Sequence, residues 1–69
     1  MPVPVQKLAA GRCYQTAEDQ VRLIIRFEGD HVHYVVGRNG VFPVWNKLMW
    51  LRTRREAFAE EAEREVAHP

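Results

Sequence analysis

Between Val21 and Val36 the chain alternates apolar and polar positions with the two-residue period of a β-strand. VRLIIRF sets Val21, Leu23, Ile25 and Phe27 on one side and Arg22, Ile24 and Arg26 on the other. HVHYVV sets Val32, Tyr34 and Val36 opposite His31, His33 and Val35. Glu28-Gly29-Asp30 separates the runs, and Gly29-Asp30 suits a two-residue type II′ turn. Such a turn pairs Phe27 with Val32, Ile25 with Tyr34 and Leu23 with Val36, all apolar and on one face. Glu28–His31, Arg26–His33 and Ile24–Val35 then pair on the opposite face. A slip by one residue would set Phe27 against His31 and expose half of the apolar set, so pattern and turn chemistry specify the same hairpin.

Further elements follow from turn and cap signals. Asn39-Gly40 tolerates the positive φ of a type I′ turn, which predicts that HVHYVV and VFPVW fold back on one another as strands. Pro43 lacks an N–H, so its strand belongs at an edge. RCYQT reads as an earlier strand with Arg12, Tyr14 and Thr16 on one face, joined to Val21 through the polar Ala17-Glu18-Asp19-Gln20. Residues 46–51 carry Leu48-Met49-Trp50-Leu51, which fits a short fifth strand, a 3₁₀ turn or the approach to a helix. Thr53-Arg54-Arg55-Glu56 matches a capping box, and Phe58, Ala62 and Val66 then recur on one helical stripe, with acids on the far face. Pro2 and Pro4 make residues 1–7 an extended arm, leaving 8–69 as a single small domain. The expected fold is α+β, mainly β. It has a four- to five-stranded antiparallel meander, curled as a sheet or an SH3-like open barrel, followed by one C-terminal helix.

Composition narrows the picture. A chain of 69 residues buries only about 60% of the surface its unfolded form exposes, so the core is small. Cys13 is the only cysteine, which rules out an intrachain disulfide and fits a reducing compartment. The N-terminus lacks the pattern of a signal peptide and no apolar run is long enough to span a bilayer, so the expected location is cytoplasmic. Charge is unevenly placed: residues 1–55 hold nine basic and four acidic side chains, a net +5, and residues 56–69 hold one basic and five acidic, a net −4.

Candidate chemistry is sparse. His31 and His33 share a strand face, but two ligands do not complete a zinc site, so no metal or cofactor is expected. There is no serine, Thr53 is assigned to the cap, and the glycines form no phosphate-cradling loop, so the sequence predicts a protein that is not an enzyme. Two binding readings remain. In the leading one, an exposed Ile24–Val35 patch with Trp45 and Trp50 accepts a protein partner or a second copy of the chain as a homodimer. In the alternative, Arg22, Arg26 and His33 on the polar sheet face, with Arg38, Arg54 and Arg55 nearby, hold nucleic acid while aromatic rings stack on bases.

Gly11-Arg12-Cys13-Tyr14, Val21-Arg22, Val32-His33-Tyr34 and the helix containing Phe58 resemble small bacterial and prophage-encoded proteins with an SH3-like barrel. In those proteins a Gly-x-x-Tyr opens the first strand, a V-x-Y strand follows a tight turn, and an F-x-x-x-A segment closes the chain. The resemblance covers roughly residues 11–66. It implies the barrel-like fold and an accessory or regulatory role, and it implies no particular activity, because SH3-like barrels host unrelated functions.

Overall fold

The computed structural model describes residues 3–67. Five strands form one antiparallel sheet: β1 (Cys13–Thr16), β2 (Val21–Glu28), β3 (His31–Gly37), β4 (Leu51–Arg54) and β5 (Ala62–Val66). Their order across the sheet is β4-β3-β2-β1-β5, curled into a half-barrel, and helix α1 (Arg55–Glu61) links the two edge strands. The α+β, mainly β architecture is the one the alternation predicts.

The central hairpin forms where the turn chemistry places it. Gly29 takes a φ of +55° and Asp30 does not share it, as a type II′ turn requires. Glu28–His31, Phe27–Val32 and Arg26–His33 pair as expected. The register then shifts between Ile24 and Arg26, so Ile24 pairs with Tyr34 and Leu23 with Val35. Ile25 is the extra residue of a β-bulge, and the bulge moves the following side chains to the other face. Arg26 therefore lies on the face of Leu23 and Ile25, whereas Arg22 lies on the face of Ile24.

This bulge lets both faces of the sheet be apolar. On one side Leu8, Tyr14, Ile24, Val32, Phe58 and Ala59 form a core, with Phe27 and Tyr34 packed against it. On the other, Cys13, Leu23, Val35 and Phe42 cluster, flanked by Ile25 and Trp50. Tyr14, Phe58, Ile24, Val32 and Val35 are each wholly buried, and complete burial of a side chain of this size contributes about 1.5–3 kcal/mol.

The C-terminal segment departs from the helical stripe. Only Arg55–Glu61 is helical, and Ala62–Val66 pairs with β1 as β5. Ala62 joins the core containing Phe58, whereas Val66 packs against the cluster on the opposite face. One helical stripe cannot serve both faces, and a seven-residue helix has little stability of its own, so sheet pairing overrides propensity. The capping box does not form either. Thr53 is a β4 residue opposite Val32, and the N-cap is Arg54 without a side-chain bond. The Arg55 N–H continues the ladder instead, donating to the Asp30 carbonyl at 2.7 Å.

The expected VFPVW strand is also absent. Asn39 (φ +53°) and Gly40 (φ +76°) make the turn, and Arg38 and Val41 exchange two backbone bonds of 2.9 Å, but pairing stops at that bridge. Phe42 swings under the sheet, and a side chain at Gly37 would overlap its ring. Of the three readings for Leu48-Met49-Trp50-Leu51, the first part is a 3₁₀ turn (Lys47–Met49) and Leu51 starts β4. The N-terminal arm is not extended throughout, because Val5–Lys7 forms a 3₁₀ turn, and it is partly tied down. The Val3 N–H donates to the Ala62 carbonyl at 2.9 Å, and the Tyr14 hydroxyl accepts from the Ala9 N–H and donates to the Lys7 carbonyl. The residues expected to begin that arm, Met1 and Pro2, lie outside the described residues.

Candidate docking groove

The β3–β4 connection, residues 38–50, is held to the sheet by two aromatic anchors. Phe42 is 8% exposed beneath Gly37. Trp50 is half-buried against the cluster of Leu23 and Val35, with its ring 5.9 Å from that of His33 and its Nε1 donating to the Val44 carbonyl at 3.0 Å. The Asn46 side chain accepts from the Leu48 N–H and closes the 3₁₀ turn. With two aromatics turned inward, the remaining apolar residues of the connection have no room in the core.

They are exposed instead. Leu48 is 93% exposed, Trp45 72%, Val41 52%, Met49 51% and Leu51 45%. Leu48, Met49, Val41 and Pro43, with Val36 and Leu51 from the sheet, line a groove of about 380 Å³. Arg38 sits on its wall, and the Lys47 ammonium lies 5.7 Å from the Trp50 ring. From His31 to Arg55 the sequence contains no Asp or Glu, while Arg38, Lys47, Arg52, Arg54 and Arg55 all fall within it. Arg38 is thus the charged residue that lines the exposed apolar groove.

The groove adjoins β4, whose outer edge is unpaired among the described residues. In an antiparallel ladder, bonded and non-bonded pairs alternate. The Arg55–Asp30 bond therefore assigns the bonded pairs to Thr53–Val32 and Leu51–Tyr34. The N–H and C=O of Arg52 and Arg54 consequently point away from β3. Their side chains share the face of Arg26, His31 and His33, whereas Leu51 and Thr53 lie on the face of the groove.

The residues proposed from sequence have different fates. Ile24 and Val35 are wholly buried and on opposite faces, because the bulge at Ile25 removes their pairing, so they present no partner-binding patch. Trp45 is on the surface and Trp50 is an anchor with one exposed side. Arg22 is separated from Arg26 and His33. Its side chain is 14% exposed, bonds Gln20 and Glu61 at 2.6 Å each, and lies 5.0 Å from the Tyr34 ring centroid. Arg26 and His33 do come together, around Glu28: His33 Nε2 is 2.9 Å from one carboxylate oxygen and Arg26 Nη2 is 3.7 Å from the other. Foremost the hydrogen bond to His33, and then its charge, hold the Glu28 carboxyl below the usual carboxylate range. Arg54 is exposed on that face, and Arg55 lies over the Phe27 ring at 4.4 Å. Arg38 belongs to the groove.

Sequence reasoning missed Val41, Leu48, Met49 and Leu51. The available signal was a run of apolar residues with no matching polar alternation, set inside an acid-free stretch. Burial raises the Cys13 thiol above its ordinary pKa, which disfavours the reactive thiolate. Among the described residues no group of three or more His, Cys, Asp or Glu side chains converges to hold a metal ion, and no helix is long and apolar enough to cross a membrane. Comparison with family models, curated proteins and solved structures returns no match.

Proposed function

We propose that the protein is a non-enzymatic docking module that holds another protein at the groove between β4 and the β3–β4 connection. The observation that carries this reading is the exposure of Leu48, Val41, Met49 and Leu51 around one concavity beside a connection that is itself anchored. Exposed apolar residues scattered singly need no explanation, but a contiguous patch beside Arg38 has the character of an interface. Burying one such side chain against a partner contributes about 1.5–3 kcal/mol, so covering Leu48, Met49, Val41 and Leu51 together contributes at most about 6–12 kcal/mol before association costs, and backbone and polar contacts supply the rest. An accessory or regulatory role, as implied by the resemblance to small SH3-like proteins, is compatible with a chain whose main surface feature is a docking site.

The test is selection of binders from a peptide library, followed by mapping with amide chemical shifts. Perturbations centred on residues 41–51 and loss of binding in Leu48→Asp support the reading; perturbations elsewhere, with Leu48→Asp unaffected, contradict it. Self-association is read in parallel by light scattering.

A second reading keeps the nucleic-acid alternative on a changed set of residues. Arg26, Arg52, Arg54, His31 and His33 share one face beside Trp50. Binding of single-stranded or duplex oligonucleotides that falls steeply with salt and is lost in Arg52→Glu supports it.

A further inference from the structure

We infer that the occupant of the groove is an extended acidic segment that joins β4 as a sixth strand and alternates apolar and acidic residues. This rests on the docking reading above. Three observations define the occupant. The outward N–H and C=O of Arg52 and the outward N–H of Arg54 offer backbone bonds to a strand along the outer edge of β4, the Arg54 carbonyl being engaged by the first turn of α1. A strand laid there sends alternate side chains to opposite faces of the sheet. On one face those side chains meet Leu51 and the groove walls of Leu48 and Met49; on the other they meet Arg52 and Arg54.

The two faces therefore set different requirements with the same two-residue period. Apolar residues fill the groove side. Acidic residues face the arginines, where a basic strand would be repelled and an acidic one adds to the charge that Glu28 already offers Arg52. The arginines thus protect the edge from indiscriminate pairing and select the charge of the strand that joins it.

A second copy of the chain fits less well. Two β4 edges brought together would set Arg52 and Arg54 against their own copies. The acidic β5 edge supplies no exposed apolar side chain, and its Ala62 carbonyl already accepts from Val3. Glu65 is also paired with Arg12 at 2.7 Å.

The experiment measures fluorescence anisotropy of three short peptides: alternating Val/Leu with Glu, the same composition arranged in an apolar block and an acidic block, and the alternating peptide with Lys for Glu. The alternating acidic peptide is expected to bind about tenfold or more tightly than either other peptide. Arg52→Glu/Arg54→Glu should reverse the preference between the Glu and Lys peptides, and Leu48→Asp should weaken every binder. Equal affinity for alternating and block peptides, with Leu48→Asp still weakening both, overturns the added strand and leaves the docking reading standing. Binding insensitive to Leu48→Asp, or no binding by any peptide, overturns both. An oligonucleotide that binds and is lost in Arg52→Glu but not in Leu48→Asp assigns the arginines to nucleic acid and overturns the inference. Concentration-dependent oligomers abolished by Leu48→Asp assign the groove to a second copy.

Discussion

Replacing Arg22 with Ala separates a structural arginine from a ligand-binding one. The Arg22 stem and guanidinium lie across Tyr34 and Phe58, at 5.0 and 5.7 Å from the ring centroids, while the head group reaches Gln20 and Glu61. The side chain is only 14% exposed, so truncation removes packing as well as charge. Loss of two buried methylenes costs about 1.6 kcal/mol at roughly 0.8 kcal/mol each. The contacts with the two rings add about 0.5–1 kcal/mol. Glu61 is 57% exposed, which limits the ion pair to about 0.5–1 kcal/mol. The expected loss is about 3 kcal/mol, a large share of the roughly 3–10 kcal/mol available to a chain of this size. Urea unfolding followed by circular dichroism measures it. Arg22→Met, which keeps the stem, should recover about half, and a double-mutant cycle with Glu61→Gln should give a coupling of about 0.5–1 kcal/mol. A loss for Arg22→Ala below about 0.5 kcal/mol, the level of an ordinary surface substitution, would refute the latch between β2 and α1.

Three further outcomes follow from the same structure. Gly37→Ala should cost about 1–3 kcal/mol by crowding the Phe42 ring, and the penalty should largely disappear in a Phe42→Ala background; an unchanged penalty there would show that Phe42 is not its source. Leu48→Asp should leave the unfolding free energy within about 0.5 kcal/mol of the parent because the side chain is 93% exposed, so a larger loss would mean that Leu48 packs in the fold. Because His33, then Arg26 and Arg52, stabilise the charged Glu28 carboxyl, its stabilising effect is present above the ordinary carboxylate pKa and is lost as pH falls through the lowered value. Glu28→Gln should therefore be less stable near neutrality and converge with the parent in acid; parallel pH profiles would remove the pairing from the account.

The nearest-neighbour chemistry was legible in the chain. Gly29-Asp30 and Asn39-Gly40 determine their turns because their backbones reach conformations that most residues avoid, and that information is local. The first three pairs of the hairpin follow from the turn alone. What the alternation could not show is the bulge at Ile25. Two adjacent isoleucines read equally well in either register, and only packing on both faces, against Phe58 on one side and Phe42 on the other, decides that Ile24 and Val35 are interior. The same competition explains the C-terminal segment. AEREV has local preference for a helix, yet Ala62 and Val66 are claimed by opposite faces of the sheet, which a strand can satisfy and a helical stripe cannot. The groove arises in the same way. Phe42 and Trp50 take the available interior space, and the leucine and methionine between them are left outside. Composition and turns thus determined the kind of fold and its hairpin, while competition for two shallow cores decided which apolar residues are buried and which form a surface.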